Sequence, residues 1–343
     1  MRMALIVLLS ISLIFTSCDS DTPRTKGRTI LISVASDYTD SNEKVSRLET
    51  TPNDQAALVG QVVELAKQDV EVYVFRVDNG SRYTIGPENA QDAFEFGKLE
   101  KIEDRNNKLN PETKRIRMKL DESRITMHPE WRMSDVVKTI KSLDAKKGDL
   151  IILHYSGHGY SDGSLVSFIS DTNEDRIGVN NIIDVLCSYN KDAIKLMLID
   201  SCFSGNYVKD SLLASTKNIV KVGDTELYEG PSLSKSLKGA MEVALGKDSY
   251  GTPNLFVIAA ATAGQEAYDK INNGELNQEN YGAFTFYLLR ALMFDTSATM
   301  PAQCSEEITF SSLYESIWTS FPSSIKREQT PVATLSPMDV VLF

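Results

Sequence analysis

The sequence has no surplus of basic residues. Its 343 residues include 36 lysines and arginines against 47 aspartates and glutamates, a formal net charge of −11 at pH 7. Proteins that bind nucleic acid take much of their affinity from basic side chains placed on phosphates. The charge balance therefore argues against a nucleic-acid partner.

Cysteine is scarce, with four residues in the whole chain. Cys18 lies near the N-terminus, which leaves Cys187, Cys202 and Cys304 for the rest of the protein. An odd number of thiols cannot form a complete set of disulfides, even in an oxidising compartment. We expect Cys187, in an apolar helical pattern, and Cys304, in a polar stretch, to be structural thiols.

Long hydrophobic runs are missing except at the N-terminus. Residues 1–17 combine an early arginine with an apolar stretch that is too short and too near the terminus for an ordinary transmembrane helix. This pattern predicts a signal peptide. Its end, Thr-Ser before Cys18, resembles the lipobox of bacterial lipoproteins, in which the cysteine is acylated and becomes the mature N-terminus.

We therefore expect a lipid on Cys18, a polar tether over 18–27 and a place in the cell envelope, on its periplasmic or its surface face. An ordinary cleaved signal or an uncleaved anchor is the alternative.

Beyond the leader, 42% of the residues are hydrophobic, and apolar runs alternate with segments of helical period. Strand patterns occupy 28–35, 70–77, 149–155, 194–200 and 254–261, and helical patterns occupy 53–68, 133–145, 179–187 and 282–293. Such alternation is typical of a mostly parallel sheet with helices on both faces. Two segments interrupt it. We interpret the charged segment 78–129 as a partly helical insertion, and the lysine-bearing segment 206–252 as an exposed loop.

Two of the predicted strands end in small residues around a reactive side chain. The first runs into YSGHG at 155–159, which holds His158, and the second runs into DSCFSG at 200–205, which holds Cys202. A plausible crossover helix joins them, so the two strands should be parallel neighbours. Ligands of open α/β sheets bind beyond the carboxyl ends of the strands. We therefore expect His158 and Cys202 to meet at one edge.

A histidine and a cysteine at this edge can act as a base and its nucleophile. The imidazole would take the thiol proton, and the backbone N–H groups of Gly159 and Cys202 would form an oxyanion hole. Either residue alone is more often structural, and it is the pair at two strand ends that favours catalysis. A zinc site of His154, His158, Asp200 and Cys202 is the main competitor, but we expect His154 inside its strand, packed under a helix, and predict no metal site.

The paired segments 155–159 and 200–205 resemble the signatures of the caspase and metacaspase-like cysteine peptidases. Segments 53–56, 259–268, 281–286 and 329–332 are similar to further parts of the family, so the likeness covers roughly 28–343. It implies one peptidase domain with an α/β, caspase-like three-layer sandwich, whose central, mainly parallel six-stranded sheet has helices on both faces. It also implies a catalytic dyad of His158 and Cys202. The DSC form at 200–202 matches metacaspases, whereas animal caspases have QAC.

By the same resemblance, Asp54, Ser156 and Asp200 bind the substrate residue before the scissile bond. Two carboxylates can accept the forked hydrogen bonds of a guanidinium, so we expect cleavage after arginine or lysine. Self-cleavage after such a residue is expected within 206–252. The alternative is that Asp54 caps its helix and Asp200 orients the cysteine loop.

Other functions stay open at this stage. A catalytically silent caspase-like domain could bind partners, and a thiol hydrolase or amidase could act on substrates other than peptides. We expect peptide or protein substrates as partners, a membrane reached through the lipid, and no cofactor. Calcium is a possible activator, because the acidic stretch 171–175 offers oxygen ligands, although a solvated acidic turn is the favoured interpretation of this stretch.

Overall fold

The computed structural model describes residues 27–36, 38, 46–48, 50–66, 69–76, 98–103, 109–114, 125–128, 131–169, 174–204, 219–222, 225–228, 254–262, 264–269, 281–293, 307–334 and 340–343. The expected signal peptide, Cys18 and tether residues 19–26 lie outside these ranges. So do Cys304, residues 171–173 of the acidic stretch and most of segment 206–252.

The strands of the described residues are β1 (Thr29–Ala35), β2 (Val70–Arg76), β3 (Lys98–Glu103), β4 (Leu109–Lys114), β5 (Ile125–His128), β6 (Leu150–Ser156), β7 (Leu165–Ile169), β8 (Glu174–Ile177), β9 (Ile194–Asp200), β10 (Ile219–Val222), β11 (Thr225–Tyr228), β12 (Leu255–Ala259) and β13 (Val332–Ala333). The helices are α1 (Thr51–Ala66), α2 (Met133–Ser142), α3 (Val179–Tyr189), α4 (Ala283–Met293), α5 (Phe310–Ser320) and α6 (Ser323–Lys326). Within this described part of the chain, no helix combines the length and the hydrophobicity that crossing a bilayer requires.

The main sheet has seven strands in the order β13-β12-β9-β6-β1-β2-β5. Every neighbouring pair in it is parallel except β12 with β13. Parallel neighbours need crossover connections, and α1 supplies the one between β1 and β2. The predicted α/β sandwich with a mainly parallel sheet is confirmed, with one strand more than the six that the resemblance implies.

The central strands β1, β6 and β9 are buried along their whole length. Their sequences are nearly continuous apolar runs, as expected for parallel strands that are covered on both faces. Leu31, Ile152 and Leu198 pack in one core with α1, α4 and α5. Ile151 and Met197, on the opposite face, pack in a second core with α2 and α3. The ends of these strands are therefore held between two packed layers.

The segment 78–129 differs from the expectation of an insertion beside the sheet. Residues 125–128 form β5, which pairs in parallel with β2 at the edge of the main sheet. The other described parts, β3 and β4, form an antiparallel pair, and the rest of the segment, including any helix, lies outside the described residues. A four-residue strand has too short a pattern to be recognised alone, and its pairing with β2 decides its structure.

Candidate active site

A pocket of about 170 Å³ opens at the carboxyl ends of the central strands. His158 and Cys202 both line it, together with Asp54, Ser156 and Asp200. The structure thus brings into one cavity all five side chains that the sequence singled out for chemistry or substrate binding. Thr50, the residue before α1, and residues 267–269, which follow β12, also line the pocket.

The register of the sheet explains why the two motifs meet. In the parallel pairing of β6 with β9, Ser156 lies level with Asp200. The backbone N–H of Gly157 donates to the carbonyl of Asp200 at 3.1 Å, which extends the pairing one step beyond the strands. His158 and Cys202 each follow two residues after this level, so both leave the sheet side by side.

Gly159 allows the two loops to touch. A Cβ built on this residue would lie 2.3 Å from the carbonyl oxygen of Cys202, a distance that real Cβ contacts do not reach. Only glycine lets the backbones come this close without displacement. The structure therefore places the two residues of the expected oxyanion hole, Gly159 and Cys202, against each other.

The imidazole of His158 is oriented by a main-chain carbonyl. Its Nε2 lies 2.6 Å from the carbonyl oxygen of Ser46. A carbonyl can only accept, so Nε2 carries the proton and Nδ1 remains as the nitrogen that can act as a base. Burial lowers the pKa of His158, partly offset by the Ser46 carbonyl and the charge of Asp269. The ring is thus a neutral base at pH 7.

Cys202 is half-buried, and its sulfur lies beside Ala267. The backbone N–H of Ala267 donates to Sγ at 3.4 Å. Burial raises the pKa of the Cys202 thiol, and this hydrogen bond opposes the rise. The group therefore stays a thiol at neutral pH and needs a base to become a nucleophile. Cys187 is buried within α3, away from the pocket.

Two carboxylates form the buried end of the pocket. Asp54 accepts from Ser156 Oγ at 2.8 Å and from the backbone N–H of Gly282 at 2.9 Å. Asp200 Oδ2 accepts from the backbone N–H and the hydroxyl of Thr285 at 3.1 and 2.7 Å. Gly282 lies against both, since a Cβ built on it would be 3.1 Å from Asp54 Oδ2 and 2.8 Å from Asp200 Oδ2. The two anionic groups are thus held together by fixed donors.

Among the described residues, no cationic side chain compensates the charge of this pair. Asp54 is 1% exposed and Asp200 is 6% exposed, and neither forms an ion pair with a described residue. Burial raises the pKa of Asp200 to about 6. Burial, and next the charge of Asp200, raises the pKa of Asp54 well above its usual range. A bound cation in this pocket would offset the cost of keeping both groups ionised.

Asp269 is a pocket residue that the sequence reasoning missed. Its Oδ1 accepts from the backbone N–H of Thr50 at 3.2 Å and from the Thr50 hydroxyl. Its charge contributes to raising the pKa of Asp54 and Asp200. The signal was present, because this carboxylate directly follows the segment 259–268, which resembles the family. Ser46 carried no such signal, since it acts through its backbone.

His154, the extra ligand of the zinc alternative, is enclosed in the core. It is fully buried, its Nδ1 lies 2.9 Å from Ser33 Oγ, and burial lowers its pKa to about 3. Across the residues that the structure describes, no three His, Cys, Asp or Glu side chains cluster closely enough to hold a metal ion. The positions 171–173 of the calcium hypothesis are not among those residues.

The model of the caspase domain matches residues 126–340, which include both strand-end motifs. This chain belongs to the caspase-domain family. The match confirms the resemblance that the two motifs indicated, and the family is one of cysteine peptidases. Helix α1, which carries Asp54, lies before the matched residues of the caspase domain.

Solved structures similar to this caspase-domain protein share little of its sequence. A crystal structure of a Geobacter sulfurreducens protein has 15% identity and a TM-score of 0.43, over 90% of this chain and 94% of that chain. Caspase-1 from Spodoptera frugiperda has 12% identity and a TM-score of 0.47, over 94% of each chain. No curated protein matches the sequence.

Proposed function

We propose that this caspase-domain protein is a cysteine endopeptidase that hydrolyses peptide bonds after arginine or lysine. One observation carries the proposal: a single pocket holds a histidine base, a thiol and two buried carboxylates. The histidine and the thiol supply the chemistry, and the carboxylates select the substrate. A pocket used only for binding would not require the histidine and the thiol together.

In the first half of the reaction, Nδ1 of His158 takes the proton of Cys202 Sγ, and the thiolate attacks the peptide carbonyl. The oxyanion accepts hydrogen bonds from the backbone N–H groups of Gly159 and Cys202. As the C–N bond breaks, protonated His158 returns its proton to the leaving amine. The acyl group remains on Cys202 as a thioester.

In the second half, His158 takes a proton from water, which attacks the thioester carbonyl. The C–S bond breaks, the carboxylic product leaves, and the proton passes from His158 back to the sulfur of Cys202. The Ser46 carbonyl supports both steps, because it holds the Nε2 proton and stabilises the imidazolium that forms twice in each cycle.

The selectivity for a basic side chain follows from the charge of the pocket. A guanidinium or ammonium entering beside Cys202 would meet Asp54 and Asp200, with the Ser156 hydroxyl and the charge of Asp269 nearby. Their hydrogen bonds to Gly282 and Thr285 fix the two acids before the substrate arrives. An aspartate in the same place would face like charges in a poorly screened cavity.

The proposal is tested on purified protein with matched fluorogenic peptides that end in arginine, lysine or aspartate. We expect hydrolysis of the two basic peptides and little of the acidic one. Cys202→Ala and His158→Ala should each lose about 10³-fold or more of kcat, while their thermal unfolding stays close to that of the wild type. Cys187→Ala, which removes the other described thiol, is the matched control and should keep its activity.

The remaining outcomes separate the alternatives. A preference for aspartate would contradict the role of the two carboxylates in substrate selection, but it would not contradict the catalytic dyad of His158 and Cys202. If an arginyl chloromethyl ketone labels Cys202 but no peptide is cleaved, a non-peptidase thiol hydrolase is favoured. If nothing labels Cys202, the domain is catalytically silent. Running each assay with calcium and with a chelator tests whether the ion is an activator.

A further inference from the structure

Two buried tyrosines, neither of which the mechanism uses, surround the backbone of His158. Tyr38 is 4% exposed and Tyr155 is 1% exposed. Their hydroxyl oxygens lie 3.1 Å apart, although the residues come from the ends of different strands. Buried phenol hydroxyls need partners, and the identity of these partners is informative.

Each hydroxyl links His158 to Val166. Tyr38 Oη accepts the backbone N–H of His158 at 2.9 Å and donates to the carbonyl of Val166 at 2.6 Å. Tyr155 Oη accepts the backbone N–H of Val166 at 3.0 Å and lies 2.7 Å from the carbonyl oxygen of His158 and 2.8 Å from that of Val166. Since Tyr38 already donates to the Val166 carbonyl, Tyr155 can donate its one proton to the carbonyl of His158. The direct bond from the N–H of Val166 to the carbonyl of His158 is longer, at 3.3 Å. Both main-chain polar groups of His158 are thus held by tyrosines.

Tyr38 also contacts the imidazole itself. The two ring centroids lie 4.4 Å apart. The backbone of Tyr38 has φ 58°, in the left-handed region that bulky residues rarely adopt. Such a conformation persists only where the surroundings hold it, and strained residues of this kind cluster at functional sites. Burial raises the pKa of Tyr38, so its hydroxyl keeps the proton that it donates to Val166.

Gly157, in the middle of the YSGHG motif, makes room for the two hydroxyls. A Cβ built on Gly157 would lie 2.7 Å from Tyr155 Oη and 2.8 Å from Tyr38 Oη. Any side chain there would displace both hydroxyls from the backbone of His158. The same motif therefore supplies the histidine, one of the tyrosines and the space that this arrangement needs.

We propose that Tyr38 and Tyr155 are positioning residues that fix His158 for proton transfer with Cys202. The inference rests on the proposed function, since it takes His158 as the base. Neither hydroxyl lines the pocket, so neither touches substrate. Their effect passes through the backbone of His158, where a small displacement would lengthen the path of the proton.

The test compares Tyr38→Phe and Tyr155→Phe with Tyr314→Phe. Tyr314 is a matched control, because its hydroxyl donates to a carbonyl, that of Pro331, at 3.1 Å and lies outside the pocket. The readouts are kcat and KM on the arginyl peptide, and the pH profile of Cys202 alkylation by iodoacetamide, followed on its tryptic peptide by mass spectrometry.

We expect kcat to fall about 10-fold to 100-fold in both site variants, with KM within about twofold of the wild type. Alkylation at neutral pH should slow, and its profile should shift towards that of a thiol without a base. Tyr314→Phe should leave all of these values unchanged. Equal kcat and equal alkylation profiles in all three variants would overturn the proposal.

The alkylation profile keeps this inference separate from the peptidase proposal. If the wild type cleaves no peptide but Tyr38→Phe and Tyr155→Phe shift the profile, the peptidase function fails and the positioning role stands. If Tyr38→Phe does not fold, Tyr155→Phe decides the question alone, because it leaves the backbone of Tyr38 in its place. Thermal unfolding of each variant shows which case applies.

Discussion

At the residue scale, the buried position of Asp200 disfavours the ionised form of its carboxyl group. Burial raises its pKa from 3.8 to about 6. The folded state therefore binds this proton more tightly than the unfolded state. Its contribution to stability is greatest below about pH 4 and declines as the pH rises to about 6, because ionisation is then easier in the unfolded chain.

Replacing Asp200 with asparagine should therefore stabilise the protein at neutral pH while impairing cleavage after arginine. The amide oxygen can still accept from Thr285, without the charge. Since one pKa unit corresponds to about 1.4 kcal/mol, the gain in the free energy of unfolding at pH 7.5 is at most about 3 kcal/mol. It should shrink towards zero at pH 4, as followed by urea denaturation.

The control for that measurement is Asp149→Asn. Asp149 is buried to a similar extent but pairs with the guanidinium of Arg28, so its substitution should destabilise the protein at pH 7.5. A decrease in stability for Asp200→Asn at the same pH would contradict the account of an uncompensated pair.

The charge of the pocket also predicts a pH-dependent selectivity. Citrulline matches arginine in shape but is neutral, and protonation of His158 slows both substrates equally. The ratio of kcat/KM for arginyl over citrullyl peptides should be high above pH 7 and should fall as the pH drops through about 6, where Asp200 takes up a proton. A ratio that stays constant from pH 5 to 8 would show that this carboxylate does not select the substrate.

At the scale of elements, the loops after β6 and β9 approach each other closely at Gly159. In Gly159→Ala the methyl group would collide with the backbone carbonyl of Cys202, and the loops after β6 and β9 would have to separate. Moving the oxyanion hole should lower kcat by about 10²-fold or more. Peptide hydrolysis measures this loss, and circular dichroism should show the sheet intact.

Gly178→Ala is the matched control for Gly159→Ala. Gly178 precedes α3 with φ −74°, and a Cβ built on it meets nothing within 4 Å. This variant should keep its activity and lose at most about 1 kcal/mol of stability, because alanine is a poorer helix N-cap than glycine. Equal activities for the two alanine variants would argue against the close approach at Gly159.

Elements differed in how well the sequence predicted them. The buried strands β1, β6 and β9 were recognisable because seven consecutive buried positions give long apolar runs. Helix α5 was missed, although Thr309 and Ser312 form a capping box at its start, because serine replaces the usual glutamate of that pattern. Strand β5 was missed because its identity depends on β2.

For the whole molecule, self-cleavage within 206–252 should leave a complex that holds together. Strands β9 and β12, on either side of this segment, pair in parallel over five residues, so both fragments belong to one sheet. We expect two bands in a denaturing gel, one peak in gel filtration, and a terminal lysine or arginine on the first fragment by mass spectrometry.

Cys202→Ala is the control for self-cleavage and should remain a single chain. Added wild-type protein should cleave it if processing occurs between molecules. An active wild-type enzyme that stays intact would contradict this prediction but would leave catalysis unaffected.

The proposed membrane anchor is also a property of the whole molecule. If the N-terminal pattern directs lipidation, labelled palmitate should enter the wild type expressed in a bacterium, and the protein should sediment with membranes. Cys18→Ala should take up no label, whereas Cys304→Ala should label normally. A mature wild-type protein without lipid would refute the anchor.

The sequence by itself determined the family, the sheet and the five residues expected in the pocket. Strand patterns and the small residues that follow them are local signals, so His158 and Cys202 could be found from a few neighbours each. Tertiary structure alone decided the contacts between distant segments. Asp54 and Ser156 are 102 residues apart in sequence, and Asp54 and Gly282 are 228 apart.

The contacts of His158 with the Ser46 carbonyl and with the two tyrosine hydroxyls are also decided by the tertiary structure alone. Backbone groups carry no residue identity, and a hydroxyl's partner depends on which strands become neighbours. No local pattern contains that information, because register and packing over the whole sheet decide which polar groups meet.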